Sequence, residues 1–450
     1  MKNLRCALVI LFSLLAVPVL SQEIGPPIPS LSQWEDNMKS YGRKFMSTPI
    51  NGKANETLVW YYDGIKVYYQ IAEYTNDKSW LAGAKTCMNW YRDKYIFGRP
   101  SHVDGWRMFP HGLMLDYLRT SDEKDKRAIE IMEKNGAFSD RNVDYARTST
   151  FDLKSVALSR EVAYNINVHV VASALGVASF SKPDPYIDIA LGHIKSWNDW
   201  IKSHNPSFPY LSDGGKTGFQ PFMAGLTCEA LIRYYESKGA DPYKKTEIIA
   251  AISELATLMW DAAFIKGQNT LYYESNRKGP APDLNLLICP LYGWLWHRTG
   301  DKGFIDKGDA LFQGGIAGAY LSGGKQFSQN YRWSFDYVKW RKEPVDLDAG
   351  AALAQKEKRA AQLKRATVFP NPYKPSSGMK LVIDNIFPEC VFILNDVSGK
   401  KVIELNSAKK AYIEWDGMLS KDAPIQAGSY SYVIKTKDGL ERTGKLDIKK

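Results

Sequence analysis

The sequence predicts a mainly α chain, an array of helical hairpins closing into a ring, followed by a small all-β sandwich. Three observations predict it. Between residues 55 and 345, apolar residues recur at three- and four-residue spacing in paired segments joined by short polar turns. The segments that precede alternate helices are instead long and polar, as in "FGRPSHVDGWRMFPHG" and "NPSFPYLSDGGKTGFQPF". After residue 365 the pattern switches to short alternating runs bounded by Gly, Asp and Asn.

Residues 1–22, "MKNLRCALVILFSLLAVPVLSQ", place Lys2 and Arg5 before an apolar run of roughly fifteen residues. The run reads as a secretory signal and falls short of the ~20 residues of a membrane span. The mature chain is therefore expected outside the cell or at its surface, without a membrane span. Residues 23–350 form the helical region. Its clearest hairpins, 64–95, 226–264 and 286–315, turn at "TND", "KGAD" and "TGD", where Asn or Gly stops one helix and Asp caps the next. Weaker copies at 111–134 and 161–202 bring the array to five or so. Residues 351–365, "AALAQKEKRAAQLKR", read as a charged helical linker, and 366–450 as the sandwich.

The net charge is +10, but its placement matters more. Residues 351–450 hold 18 Lys and Arg against 11 Asp and Glu, and the signal adds two more positive charges. The helical region is close to neutral, so overall basicity gives no support for a nucleic-acid partner. Cys87, Cys228, Cys289 and Cys390 are far apart in sequence, which fits buried thiols rather than a disulfide framework. GxSxG, HExxH, dinucleotide, phosphate-loop and EF-hand patterns are absent, so no metal or cofactor is expected.

The aromatic clusters Trp60-Tyr61-Tyr62 and Trp333/Tyr337/Trp340, with the long loops before alternate helices, favour a closed ring over an open solenoid. This arrangement resembles the (α/α) toroid, complete or incomplete, of many carbohydrate-active enzymes over roughly residues 35–345. The resemblance implies a sugar-binding cleft built by loops at one end. The C-terminal region resembles the Ig-like domain of flagellar hook-capping proteins and the sorting domains of exported Bacteroidetes-type enzymes. The matching stretches are "FPNPYKP" (369–375), "DVSGKKV" (396–402), "WDG" (415–417), "AGSYSYVI" (427–434) and "GKLDIKK" (444–450). That likeness implies a Gram-negative-type bacterium, with secretion or cell-surface machinery as the partner.

The segment "SREVAYNINVHVV" (159–171) carries the densest set of chemically capable residues. In helical phase Arg160, Tyr164 and Asn167 fall at i, i+4 and i+7, along one stripe. β-Elimination on a uronic-acid polymer needs such a set. Arg and Asn donors neutralise the carboxylate, a base removes the proton at C5, and a Tyr hydroxyl protonates the departing oxygen. Toroidal polysaccharide lyases, the alginate- and glucuronan-lyase-like families among them, carry a His followed later by Arg and Tyr. The order His111, Arg160, Tyr164 is similar, although Pro110 stands where those families often place Asn. The resemblance implies Tyr164 as the acid and also as a base, with His111 the alternative base and His102 or His169 behind it; His169, off the stripe, reads as a structural histidine.

A glycoside hydrolase on the same ring remains open and needs two carboxyl groups. Asp63, following three aromatics, pairs in that reading with Asp213, Glu274 or Asp283, unless Asp63 merely caps a helix. Trp60, Tyr62, Asp63, Trp106, Arg107, Tyr273, Asn330 and Arg332 are the residues expected to bind a polysaccharide substrate. Trp333, Tyr337 and Trp340 read as a core stripe. A non-catalytic glycan-binding surface protein is the third reading.

Overall fold

The computed structural model describes residues 25–47, 58–136, 158–177, 184–203, 219–274, 279–348, 359–408, 410–420, 423–436 and 439–450. The expected signal segment, Asp213, most of the expected linker 351–365 and residues 178–183 in the expected 161–202 hairpin lie outside them. The chain divides into two compact units that part after Leu347.

The first unit holds twelve α-helices among its described residues: α1 (Leu31–Ser47), α2 (Gly64–Thr75), α3 (Leu81–Trp90), α4 (Pro110–Thr120), α5 (Glu123–Asn135), α6 (Ser159–Ala174), α7 (Asp184–Ser203), α8 (Pro221–Tyr235), α9 (Pro242–Ala263), α10 (Asn285–Thr299), α11 (Lys302–Ala317) and α12 (Gly324–Lys342). The even-numbered helices close on themselves. α2 packs on α4, α4 on α6, α6 on α8, α8 on α10, α10 on α12, and α12 returns to α2. The odd-numbered helices form an outer row, and α1 completes it by packing on α12 and α3. The result is an (α/α) toroid of six pairs, one more than the local hairpin pattern suggests. The sixth pair joins the two ends of the unit, so no local turn marks it.

Burial separates the two rows. Outer α9 buries a single stripe through Ile248, Ile252, Leu255 and Met259, whereas inner α10 is buried on all sides from Asn285 to His297. A helix apolar all round belongs inside, and one with a stripe belongs at the rim. The short turns share one device. Asn76, Ser121 and Gly300 end their helices in the left-handed region, and Asp77, Asp122 and Asp301 then accept from the backbone of the next helix. These turns lie at the C-terminal ends of inner helices. The long connections 91–109 and 264–284 lead into the N-terminal ends of inner helices α4 and α10, and 137–157 and 204–218, before α6 and α8, lie outside the described residues. The described loops therefore build a mouth at that end.

The strands of the second unit include β1 (Thr367–Phe369), β2 (Leu381–Asp384), β3 (Val391–Asn395), β4 (Lys401–Asn406), β5 (Ile413–Trp415), β6 (Gly428–Lys435) and β7 (Glu441–Ile448). They form a four-stranded antiparallel sheet, β7-β6-β3-β4, packed on a three-stranded one, β1-β2-β5. Leu381, Ile383, Phe392, Leu394, Trp415, Ile434 and Leu446 fill the space between the sheets. Leu363, from the C-terminal part of the expected linker, joins this core.

Candidate functional site

The inner row encloses a lumen whose walls carry polar groups at a depth where apolar residues are the rule. Its best-tied member is Asp63. The residue sits in the left-handed region at the start of α2, and its carboxylate accepts from the backbone N–H of Lys66 (3.3 Å) and of Gly112 (3.1 Å). Gly112 is required there, since a Cβ would lie 2.3 Å from Asp63 Oδ1. Burial raises the Asp63 carboxyl above its ordinary range, opposed by the charges of Arg332 and Lys66.

Deeper in the lumen runs an ionic network across three helices. Lys66 Nζ donates to Asp336 (3.2 Å) and to the carbonyl of Arg332 (3.0 Å). Arg233 also donates to Asp336, and it lies 3.9 Å from Glu229. Glu229 accepts from the indole of Trp333 (2.7 Å) and from Nη2 of Arg332 (3.4 Å). Asp336 is held below the usual carboxylate range: burial raises it, and Arg233 and Lys66 more than offset this.

A second set of buried groups is not tied. The Tyr164 hydroxyl, both ring nitrogens of His111, both amide atoms of Asn167, and Nε and Nη1 of Arg332 have no hydrogen-bond partner among the described residues. Within this set Arg332 lies beside Tyr164, its guanidinium carbon 5.3 Å from the Tyr164 ring and 5.4 Å from the Phe109 ring. Burial drives the Tyr164 phenol well above its usual range. It drives the His111 imidazole well below, aided by Arg233, Lys66 and Arg332. At neutral pH the first is a proton donor and the second a neutral acceptor. Leaving a buried polar group unpaired costs about 1–3 kcal/mol, so such groups pair with water or with a ligand.

Toward the loop-built mouth, Tyr62 is half-buried and Trp106 is 40% exposed. Arg160 pairs with its neighbour Glu161 (2.6 Å), and Arg107 with Asp104 (3.4 Å). Tyr273 packs on Phe222, and Glu274 accepts from Gln220 (3.4 Å).

The stripe expected on α6 is therefore split. Arg160 stands partly exposed with a partner, while Tyr164 and Asn167 point into buried surroundings without one. His169 faces away from the lumen, 3.2 Å from Glu133 and stacked on Tyr186, and His102 is exposed beside Asp104. Trp60, expected as a sugar platform, is buried against Tyr91 and Tyr95. Asn330 is buried and donates to Gln326 of its own helix (2.7 Å). Trp333 is buried as a core stripe requires, yet its indole N–H serves Glu229. Sequence reasoning passed over Lys66, Glu229, Arg233 and Asp336. The signal was present: "GIKVYYQ", "CEALIRYY" and "RWSFDYV" each carry charges inside otherwise apolar helical runs.

No family model and no curated protein matches the chain. Among solved structures, similarity is found to a family 105 glycoside hydrolase from C. acetobutylicum ATCC 824. There the TM-score is 0.46 at 12% identity, over 68% of this chain and 99% of that one. Another is PorZ, a surface component of the type-IX secretion system of Porphyromonas gingivalis, with a TM-score of 0.19 at 15% identity, over 20% of this chain. This chain spans 12% of the length of that PorZ chain.

Proposed function

We propose that this protein is a carbohydrate-active enzyme that cleaves a uronic-acid-containing polymer, alginate- or glucuronan-like, by β-elimination in the lumen of the toroid. The observation that carries the reading is the untied group: Tyr164, His111 and Arg332, on inner helices α6, α4 and α12, and Asn167, one turn beyond Tyr164 on α6, have unmet hydrogen-bonding capacity among the described residues. Arg332, with Asn167, neutralises the substrate carboxylate and so acidifies the proton at C5. Neutral His111 takes that proton, and its electron pair forms the C4–C5 double bond as the C4–O bond breaks. The Tyr164 phenol protonates the departing oxygen. Arg160, Tyr62, Trp106, Arg107 and Tyr273 line the approach from the mouth.

Incubation with a panel of uronate polymers should produce the ultraviolet absorbance of an unsaturated uronate, and Tyr164→Phe should abolish it. Activity confined to neutral glycans, with no absorbance, would refute the elimination. A hydrolase is the second reading, favoured by the raised carboxyls of Asp63 and half-buried Asp283, both raised mainly by burial. Against it, both oxygens of Asp63 already serve as caps between α2 and α4.

For the C-terminal unit we infer a role in export or surface attachment, supported by the five sequence stretches between 369 and 450. Removal of residues 366–450 should leave the chain retained in the producing cell. Among the described residues no helix is long and apolar enough to cross a membrane.

A further inference from the structure

Resting on the reading of the mouth as the approach for a uronate polymer, we propose that Tyr91 and Tyr95 are positioning residues for that substrate. Their hydroxyls, carried by one π-helical turn, fix the loop that presents Trp106 and Arg107 before the polymer arrives.

The turn comes first. Tyr91–Ile96 continues α3 as a π-helix, and the Phe97 N–H donates to the carbonyl of Arg92, five residues back (3.1 Å). Such turns are rare and collect at functional sites. Arg92, through Asp122 and Asp125, anchors this one to the start of α5. The rings of Tyr91 and Tyr95 stack on each other with centroids 6.0 Å apart, and each stacks on Trp60 at 5.9 Å. Both rings are buried, so each hydroxyl needs its partner inside the protein.

Both hydroxyls find the same loop. Tyr95 donates to Asp104 Oδ2 (2.9 Å) and accepts from the backbone N–H of Asp104 (3.1 Å). Tyr91 donates to the carbonyl of Arg107 (2.6 Å) and accepts from the N–H of Phe109 (2.7 Å). Asn135, the last residue of α5, adds two ties earlier in the loop. Its amide donates to the carbonyl of Pro100 (2.7 Å), and its carbonyl accepts from the N–H of Val103 (3.0 Å). The link runs on to the Arg107 guanidinium, which lies 3.4 Å from Asp104 and over the Tyr95 ring, 5.1 Å from its centroid. Backbone and charged head of Arg107 thus answer to the two tyrosines.

What the tied loop presents is not core. Trp106 stands between the anchors at Asp104 and Arg107 and is 40% exposed, more than any other tryptophan among the described residues. An indole facing water adds little to the fold, yet the backbone on both sides of it is held by buried phenols. An aromatic face beside a cation is what a uronate unit requires: its apolar ring face stacks on the indole and its carboxylate meets the guanidinium. Fixing both in advance removes an ordering cost that binding would otherwise carry.

The test uses the full chain and a size-fractionated polyuronate, following binding by calorimetry and cleavage by ultraviolet absorbance. Tyr95→Phe keeps the ring stack and deletes only the hydroxyl. It should raise Kd and KM about tenfold with kcat unchanged, and Tyr91→Phe should behave alike. The decisive readout is coupling. In a chain carrying Trp106→Ala and Arg107→Ala, adding Tyr95→Phe should weaken binding no further, because the tyrosine acts through those two side chains. Wild-type binding by Tyr95→Phe, or an equal loss with and without Trp106 and Arg107, overturns the inference. Asp104→Ala breaks the same link from the loop side and carries the test where Tyr95→Phe does not fold. Wild-type binding by both Trp106→Ala and Arg107→Ala removes the mouth as the approach, and a wild-type chain that binds no polyuronate removes the acidic substrate; the inference falls with either. Coupled loss of binding without any absorbance leaves the positioning standing and refutes the elimination alone.

Discussion

Arg92 and Arg332 are both buried arginines beside acidic side chains, and they differ in how much of the guanidinium is used. Arg92 spends all three nitrogens. Nε binds Asp93 (2.7 Å), Nη1 binds Asp122 (2.9 Å) and Asp125 (2.8 Å), and Nη2 reaches Asp93 again. Arg332 spends Nη2 alone, on a long contact to Glu229, and lies over the rings of Trp333, Tyr164 and Phe109. The first joins the π-helical turn Tyr91–Ile96 to the start of α5 and has nothing left to offer a ligand. The second is positioned by its neighbours and keeps its donors open. Burial and charge type are alike, so unmet hydrogen-bonding capacity is what distinguishes Arg332, the arginine proposed for chemistry, from Arg92, which joins two elements of the fold.

The largest effect that sharpens this contrast falls on Tyr164, which shares the open environment of Arg332. Tyr164→Phe should lower turnover about 10²–10⁴-fold, the usual weight of a positioned proton donor. Its thermal midpoint should hold or rise, because the hydroxyl removed has no partner among the described residues. A fall in midpoint alongside the rate would mean that Tyr164 belongs with Arg92.

Next comes Arg92→Ala. Removing one member of a buried ion-pair cluster costs about 3–5 kcal/mol, here by leaving Asp122 and Asp125 without their shared cation. Denaturant unfolding should report that loss, while turnover per folded molecule is unchanged. Lysine at each position is a milder pair of changes. Arg92→Lys keeps the charge but loses the fork, at about 1–3 kcal/mol of stability. Arg332→Lys should leave stability nearly unchanged and raise KM for carboxylated substrates. Equal effects of the two substitutions on stability would erase the distinction.

Much of the toroid was legible because its signals are local. The Asn76-Asp77, Ser121-Asp122 and Gly300-Asp301 turns combine a left-handed stop with a capping carboxylate, and both parts are visible in the chain. The closing pair of α1 and α12 was not legible, since its members are almost three hundred residues apart. The site was half legible for a related reason. Helical phase placed Arg160, Tyr164 and Asn167 on one stripe, but phase does not show that Glu161 takes Arg160 out of it. Likewise Asp63 looked like an acid behind aromatics until α4 brought Gly112 onto its carboxylate. Partners decide which polar residues are spent, from the next residue for Arg160 or from another helix for Asp63, and helical phase alone does not identify them.

The smallest effect is on pH dependence, where the two regions should tilt stability in opposite directions. Burial, with Arg233, Lys66 and Arg332 nearby, holds folded His111 well below its usual range. In the unfolded chain it titrates near ~6.5, so its contribution is complete above that pH and is lost as pH falls toward the folded value. Asp125 behaves the other way. Burial first, and then the adjacent Asp116 carboxyl, hold it well above the usual carboxylate range despite Arg92. Its contribution is complete below ~3.9, the unfolded value, and declines as pH rises to the folded one, about 8. Thermal midpoints against pH should therefore show a shallower decline between those two values for Asp125→Asn and a flattened acid side for His111→Gln. An identical slope over that range in wild type and Asp125→Asn would mean that no proton is held between Asp116 and Asp125, and that Arg92 alone neutralises the cluster.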